Sequence, residues 1–318
     1  MSAVAPMYSI IQQLRDSLQS SILGKPLEIN LLLTAMLAKG HVLIEDVPGT
    51  GKTQLIKSIA RTINGQFRRV QCNPDLLPTD ITGMFIFHPK DQEFVFRPGP
   101  MMTNVLLVDE INRATTKTQS ALLEAMEERH VTIEGETFML PSPFMLLATQ
   151  NPIEFEGTYV LPEAQMDRFM MKISLGYPDE MTERIMLARH VEGLPSERVD
   201  TITDVTVIED MQRLVEEVHI DDAILAYIID ITRRTREHDQ VLLGASPRAS
   251  IALMQAAKAF AWLNGRDYVS PDDVKVLVRY VLGHRLVLTI DAKVEGIETA
   301  DILYDILNQV TVPVRLGM

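Results

Sequence analysis

At 318 residues with 46% hydrophobic content, the chain can bury a sizeable core, and at ~100–200 residues per domain it predicts two domains. Thirty basic against 43 acidic residues give a formal charge of −13, which argues against a dedicated nucleic-acid binder. The single cysteine, Cys72, excludes an intramolecular disulfide and argues against structural zinc. No apolar run approaches the ~18 residues needed to cross a membrane, and Met1 to Pro6 carry no secretion signal, so a cytoplasmic protein with no membrane span is expected.

In chain order, Leu27 to Lys39 is apolar at helical spacing, and His41 to Ile44 is a short strand-like run. That run leads into Glu45-Asp46-Val47-Pro48-Gly49-Thr50-Gly51-Lys52-Thr53 and a helix over 54–64. A strand feeding a glycine loop that opens a helix is the geometry that wraps nucleotide phosphates: backbone N–H groups converge, Lys52 neutralises β/γ charge, and Thr53 ligates Mg²⁺. The pattern G-x-x-x-x-G-K-[ST] asks for glycine at position 46, where this chain has Asp46. Phe67 to Cys72 is the next strand, followed by Val105 to Val108, which ends in Asp109-Glu110. Acids at the carboxyl end of a buried strand can divide two tasks, Asp109 holding Mg²⁺ and Glu110 polarising the water that attacks the γ-phosphate.

A helix over 116–128 and strands at 144–150 and 169–175 complete an alternation that predicts an α/β fold with a parallel sheet. Residues 84–100 and 130–140 interrupt it with alternating patterns around Lys90-Asp91-Gln92 and Glu134-Gly135-Glu136, two predicted β-hairpins. Phe94, Phe96 and Phe138 on these hairpins could touch a client or bury the hairpins on their own domain. The strand at 144–150 ends in Gln150-Asn151, where an amide can hydrogen-bond the attacking water or the γ-phosphate. From Glu180 the chain reads as helices at about 180–191, 207–218, 221–238, 247–264, 271–283 and 297–309. Ser246-Pro247 and Ser270-Pro271 are N-cap and first-turn pairs. Ile224, Leu225, Ile228, Ile229 and Ile231 read as one broad buried face. Arg285 to Leu288 is ambiguous between strand and loop, and the methionines Met166, Met170 and Met171 read as core filler. His41 and His284 read as packed histidines, and Arg113 as a candidate for a subunit interface. Arg168 and Arg248 are the arginines placed to meet phosphate charge, although each alone would read as a surface ion pair.

The segments GHVLIEDVPGTGKT, LLVDEINRA, LLATQNPIEFEGTYVLPEAQMDRF and GASPRAS, in this order and with both hairpins, resemble the MoxR family of AAA+ ATPases from Ile22-Leu23-Gly24 to His284-Arg285. The resemblance implies a P-loop AAA+ core with a parallel five-stranded sheet over 1–178 and an α-helical lid over 179–318. It also implies ATP and Mg²⁺ as cofactors. Gly49, Gly51, Lys52 and Thr53 then correspond to Walker A, with Ile22, Leu23, Pro48, Thr50 and Gln54 completing the nucleotide contacts. Asp109 and Glu110 correspond to Walker B, Asn151 to sensor 1, Arg168 to an arginine finger reaching the next subunit, and Arg248 to sensor 2. Thr53 and Asp109 are the implied metal residues. The resemblance further implies a homo-oligomer in the form of a hexameric ring. It implies a chaperone-like remodelling role in maturation or metal loading, with a partner carrying a von Willebrand factor A domain. The alternatives are a nucleic-acid motor and a nucleotide-gated scaffold with little turnover.

Overall fold

The computed structural model describes residues 4–46, 49–151, 158–191 and 199–313. It opens with α1 (Val4–Ser21) and α2 (Pro26–Leu37), then β1 (Val42–Glu45), α3 (Lys52–Thr62), β2 (Phe67–Gln71) and α4 (Pro78–Thr82). The first hairpin is β3 (Gly83–His88) with β4 (Glu93–Pro98), followed by β5 (Val105–Asp109) and α5 (Thr116–Glu128). The second hairpin is β6 (His130–Ile133) with β7 (Glu136–Met139), and β8 (Met145–Gln150), α6 (Glu163–Met166) and β9 (Met171–Ile173) come next. The rest is α7 (Glu180–Val191), α8 (Val205–Glu216), α9 (Asp222–Glu237), β10 (Val241–Leu243), α10 (Pro247–Leu263), α11 (Pro271–Leu282), β11 (Val287–Leu288), α12 (Ile290–Val294) and α13 (Thr299–Gln309).

The expected parallel five-stranded sheet is present, in the order β2-β5-β8-β1-β9. Every residue of β5, and every residue of β8 up to Thr149, is buried. Successive side chains in a strand point to opposite faces, so the sheet is covered on both, as an unbroken apolar run requires. Both predicted hairpins form separate antiparallel pairs. Their turns use positive φ at Gln92 in the first, and at Glu134 and Gly135 in the second.

The chain divides into two compact units: residues 1–29, 41–161 and 174–210, and residues 30–40, 162–173 and 211–318. In the second, α10 packs against α9 and α11 through Ala249, Ala252, Ala256, Ala257 and Ala259, whose small side chains let helices approach closely. Ser246 accepts from Ala249 N at the start of α10, and Ser270 begins α11 in a reciprocal bond pair with Asp273, as the Ser-Pro pairs predict.

One expectation needs correction, one ambiguity is resolved, and one helix lies outside the sequence reading. The broad face of α9 is narrower than predicted: Ile224, Ile228 and Ile231 are buried, Ile229 is exposed, and Tyr227, Thr232 and Thr235 take part instead. Positions 225 and 229 lie ~100° round the helix from 224 and 228, beyond the edge of the stripe. The ambiguous run at 285–288 is a two-residue strand paired antiparallel with β10, a strand not foreseen. Helix α1 was also unforeseen; it buries Ile11, Leu14 and Leu18.

Candidate functional site

Because β1, β8 and β5 are adjacent and in parallel register, Glu45 opposite Gln150 and Val108 opposite Ala148, their carboxyl ends share one edge. The phosphate-loop residues leave β1 there, Asp109 and Glu110 leave β5, and Asn151 leaves β8. Proximity of these motifs is thus a consequence of strand order, which brings together residues separated by about a hundred positions in the chain.

Lys52 and Thr53 open α3, preceded by Gly51 at φ 83° and ψ 13°. Gly49 and Gly51 both have positive φ, and a Cβ added at either would meet nothing within 4 Å. The space beside both glycines is open at a helix start, a position that suits an anion. Lys52 Nζ donates to the Asp46 carbonyl at 3.1 Å. Pro48 lies outside the described residues, as does the 152–157 stretch that follows Asn151.

The two acids are held by one connected network. Asp109 Oδ2 pairs with Arg69 Nε at 2.6 Å, and Asp109 Oδ1 accepts from Thr149 Oγ1 at 3.1 Å. Thr149 Oγ1 in turn accepts from Glu110 N at 2.9 Å, so one hydroxyl orients both acids. Glu110 Oε2 accepts from Gln71 Nε2 at 3.0 Å and pairs with Arg113 Nε at 3.1 Å. Arg113, read from sequence as an interface candidate, has an intramolecular partner. Glu110 sits at φ 56°, a left-handed conformation uncommon outside glycine and concentrated at functional sites. Neighbouring Cys72 is buried, and that burial, followed by the charges of Asp109 and Glu110, pushes its thiol up to about 12. It is an inert packing residue.

Thr149 and Gln71 were not singled out in the sequence, and Arg69 reads there only as half of a solvated Arg68-Arg69 pair, which its bond to Asp109 corrects. Thr149 left one signal, a hydroxyl within the apolar strand Leu146-Leu147-Ala148-Thr149. Arg69 and Gln71 left none, because their partners depend on β2 lying beside β5.

Beside the loop, a 590 Å³ cleft is lined by Ile22, Leu23, Gly49, Thr50, Gly51 and Gln54, together with Leu175, Tyr177, Pro178 and residues of α7. The expected nucleotide contacts other than Pro48, Lys52 and Thr53 thus line one cleft. The lining combines the loop glycines with apolar side chains of Ile22, Leu23 and Leu175, a composition that suits a ligand with both an anionic and an apolar part.

Arg168 and Arg248 lie in the second unit, tied together through Asp167. Asp167 Oδ1 pairs with buried Arg285 Nε at 2.6 Å, and Asp167 Oδ2 accepts from Ser246 Oγ at 3.0 Å. Arg285 also donates to the carbonyls of Asp167, Phe169 and Met170. The backbone on both sides of Arg168 is therefore fixed, and the same carboxylate holds the N-cap of the helix that carries Arg248 in its first turn.

A parallel sheet whose glycine loop opens a helix, with paired acids two strands away, defines a P-loop nucleotide-binding protein. The model of the ATPase family associated with various cellular activities (AAA) matches residues 41–171, and an AAA lid domain model matches residues 233–306. YeaC of Bacillus subtilis is 51% identical over 288 residues, covering 90% of this chain and 89% of the relative. Chaperone MoxR1 of Mycobacterium tuberculosis is 43% identical over 301 residues, covering 92% and 79%. A crystal structure from Cytophaga hutchinsonii superposes with a TM-score of 0.91 at 39% identity, over 98% of this chain and 97% of that one. The chain belongs to the MoxR family of AAA ATPases, with an AAA domain followed by a lid domain.

Proposed function

We propose that this protein binds and hydrolyses ATP and uses the cycle to remodel partner proteins, as the name of its mycobacterial relative suggests for that protein. The observation that carries the reading is the shared edge of β5, β8 and β1, from which Asp109-Glu110 and a glycine loop with open space beside it both leave the sheet. Lys52 would exchange the Asp46 carbonyl for phosphate oxygens, and the N–H groups of the loop would cradle them. Thr53 and Asp109 would hold Mg²⁺, which neutralises charge on the β- and γ-phosphates. Glu110 would polarise the attacking water, oriented by Asn151, while Arg168 from a neighbouring copy and Arg248 meet charge at the γ-phosphate. Such sharing calls for a ring of copies, hexameric by family resemblance. Among the described residues no helix is long and apolar enough to cross a membrane.

The chemistry is tested by ATP turnover and nucleotide binding in two variants. Lys52→Ala should lose binding, and Glu110→Gln should keep binding and lose turnover by at least ~100-fold. Wild-type turnover in either would sink the assignment. The remodelling role, with a partner carrying a von Willebrand factor A domain, is tested by using ATP-loaded Glu110→Gln as bait in cell extract. Recovery of such a protein supports it; recovery of nuclease- and salt-sensitive nucleic acid would favour a motor instead.

A further inference from the structure

Asp46 occupies the position at which the phosphate-loop pattern has its first glycine, and neither phosphate binding nor hydrolysis requires a carboxylate there. It is only 5% exposed. Its backbone serves the loop: Asp46 N donates to Gln150 O at 3.2 Å, and its carbonyl receives Lys52 Nζ. Its side chain does something separate. Oδ2 accepts from Gly176 N at 3.2 Å, 130 residues further along the chain.

Gly176 is the middle of a three-residue strap that lies along the cleft, with φ at 61°. The flanking carbonyls, those of Leu175 and Tyr177, both accept from Lys25 Nζ, the second at 3.2 Å. An acid from the phosphate loop thus takes the central N–H, and a base from the turn after α1 takes the carbonyls on either side. Leu175 and Tyr177 line the same cleft as the loop glycines, together with Ile22 and Leu23. With phosphates at Gly49 and Gly51, a base would meet the apolar lining of the cleft, of which this strap carries Leu175 and Tyr177 beside Ile22, Leu23, Met186 and Leu187.

We propose that Asp46 is a positioning residue for the base end of the nucleotide: by tethering the 175–177 strap to the phosphate loop, it fixes the distance between the base wall and the phosphate cradle. Glycine at this position would leave the loop its phosphate contacts but release the strap, since the Gly176 N–H would lose its protein acceptor. The inference rests on the nucleotide-binding function proposed above.

The test is steady-state ATP and CTP hydrolysis by the full chain carrying Asp46→Ala, Asp46→Asn or Lys25→Met. Loss of one hydrogen bond to a buried carboxylate predicts a rise in the KM for ATP of about tenfold in Asp46→Ala, with the loss in KM rather than in kcat. The preference for ATP over CTP in kcat/KM should fall by a similar factor, because a smaller base depends less on the wall. Asp46→Asn keeps an acceptor for Gly176 N–H and should recover most of the loss. Lys25→Met should reproduce the KM effect, and the double variant should be less than additive, since both residues hold one strap. A fall in kcat at unchanged KM, an unchanged nucleotide preference, or strict additivity of the two variants would overturn the tether. A wild-type chain that turns over normally beside an Asp46→Ala variant with identical kinetics overturns this inference alone. A wild type without ATP turnover overturns the proposed function, and this inference with it.

Discussion

Thr149 is a small side chain on which both acids of the candidate site depend. At 3% exposed, its hydroxyl donates to Asp109 and accepts from the Glu110 N–H, so it orients the metal-site acid and the water-polarising acid together. Thr149→Val keeps the shape and removes the acceptor of the half-buried Glu110 N–H. We expect turnover to fall at least ~10-fold at a stability cost of ~1–3 kcal/mol, read from kinetics and denaturant unfolding in parallel. Unchanged kinetics would remove Thr149 from the site. His41 makes a different residue-scale prediction. Its Nδ1 accepts from Leu146 N at 3.0 Å and its Nε2 donates to Met126 O at 3.1 Å, the arrangement of a neutral ring. Burial first, and the Arg129 charge second, lower its pKa from 6.5 to about 3. The folded value lies below the unfolded one, so protonation favours the unfolded chain. The stability His41 provides is full above pH 6.5 and decreases as pH falls from there towards 3. Its share of that slope is ~1.4 kcal/mol per pH unit, and His41→Asn should remove it from a pH series of urea unfolding. His284, buried and also lowered, should leave a slope of the same sign in the variant. The glycine loop and the acid pair were legible because residue type and spacing encode them within a few positions. The clamps on those acids were not, because the order of β2, β5 and β8 is a tertiary fact with no local signature.

The two hairpins show what an element owes to its neighbours. Alternation and turn residues made each legible as a hairpin, but not which aromatic faced what. Phe96 of the first stacks on Phe138 of the second with centroids 4.0 Å apart and planes 19° apart, and Phe85 joins them at 5.8 and 6.1 Å. Phe94 instead pairs with Phe87 and is 68% exposed. The choice between client contact and self-burial thus resolves differently along one face of one strand: Phe96, further from the hairpin turn, is spent on packing, and Phe94, beside the turn, is left at the surface. Phe138→Ala should release one hairpin from the other, at ~1–3 kcal/mol locally, and speed amide exchange across both. Phe94→Ser should leave exchange and overall stability within ~0.5 kcal/mol. If both substitutions act alike, the aromatic stack does not join the hairpins. Helix α1 shows a weaker signal: Ile11, Leu14 and Leu18 form a seam one residue wide among glutamines and serines, too narrow to stand out beside the stripe of a core helix.

For the whole molecule, the distribution of charge-bearing groups matters more than any one contact. The glycine loop, Asp109 and Glu110 belong to one compact unit, while Arg168 and Arg248 belong to the other. Within the second unit, Arg285 and Ser246 fix Asp167 from two directions, which leaves the peptide of Arg168 little freedom. A rigidly based arginine suits a finger aimed at a phosphate, and the family resemblance places that phosphate on a neighbouring copy. If so, hydrolysis belongs to the assembly, and specific activity should rise with protein concentration. Arg168→Ala should keep ATP binding and lose about 10³-fold in turnover, the lower end of what a finger arginine contributes. Lys52→Ala should lose nucleotide binding yet retain an intact Arg168. Mixing the two inactive variants then discriminates between models. A finger acting in trans is offered by the Lys52→Ala copy to the functional loop of the Arg168→Ala copy, and turnover reappears in mixed assemblies. A finger acting in cis leaves every site in the mixture short of one component, and turnover stays absent at every ratio.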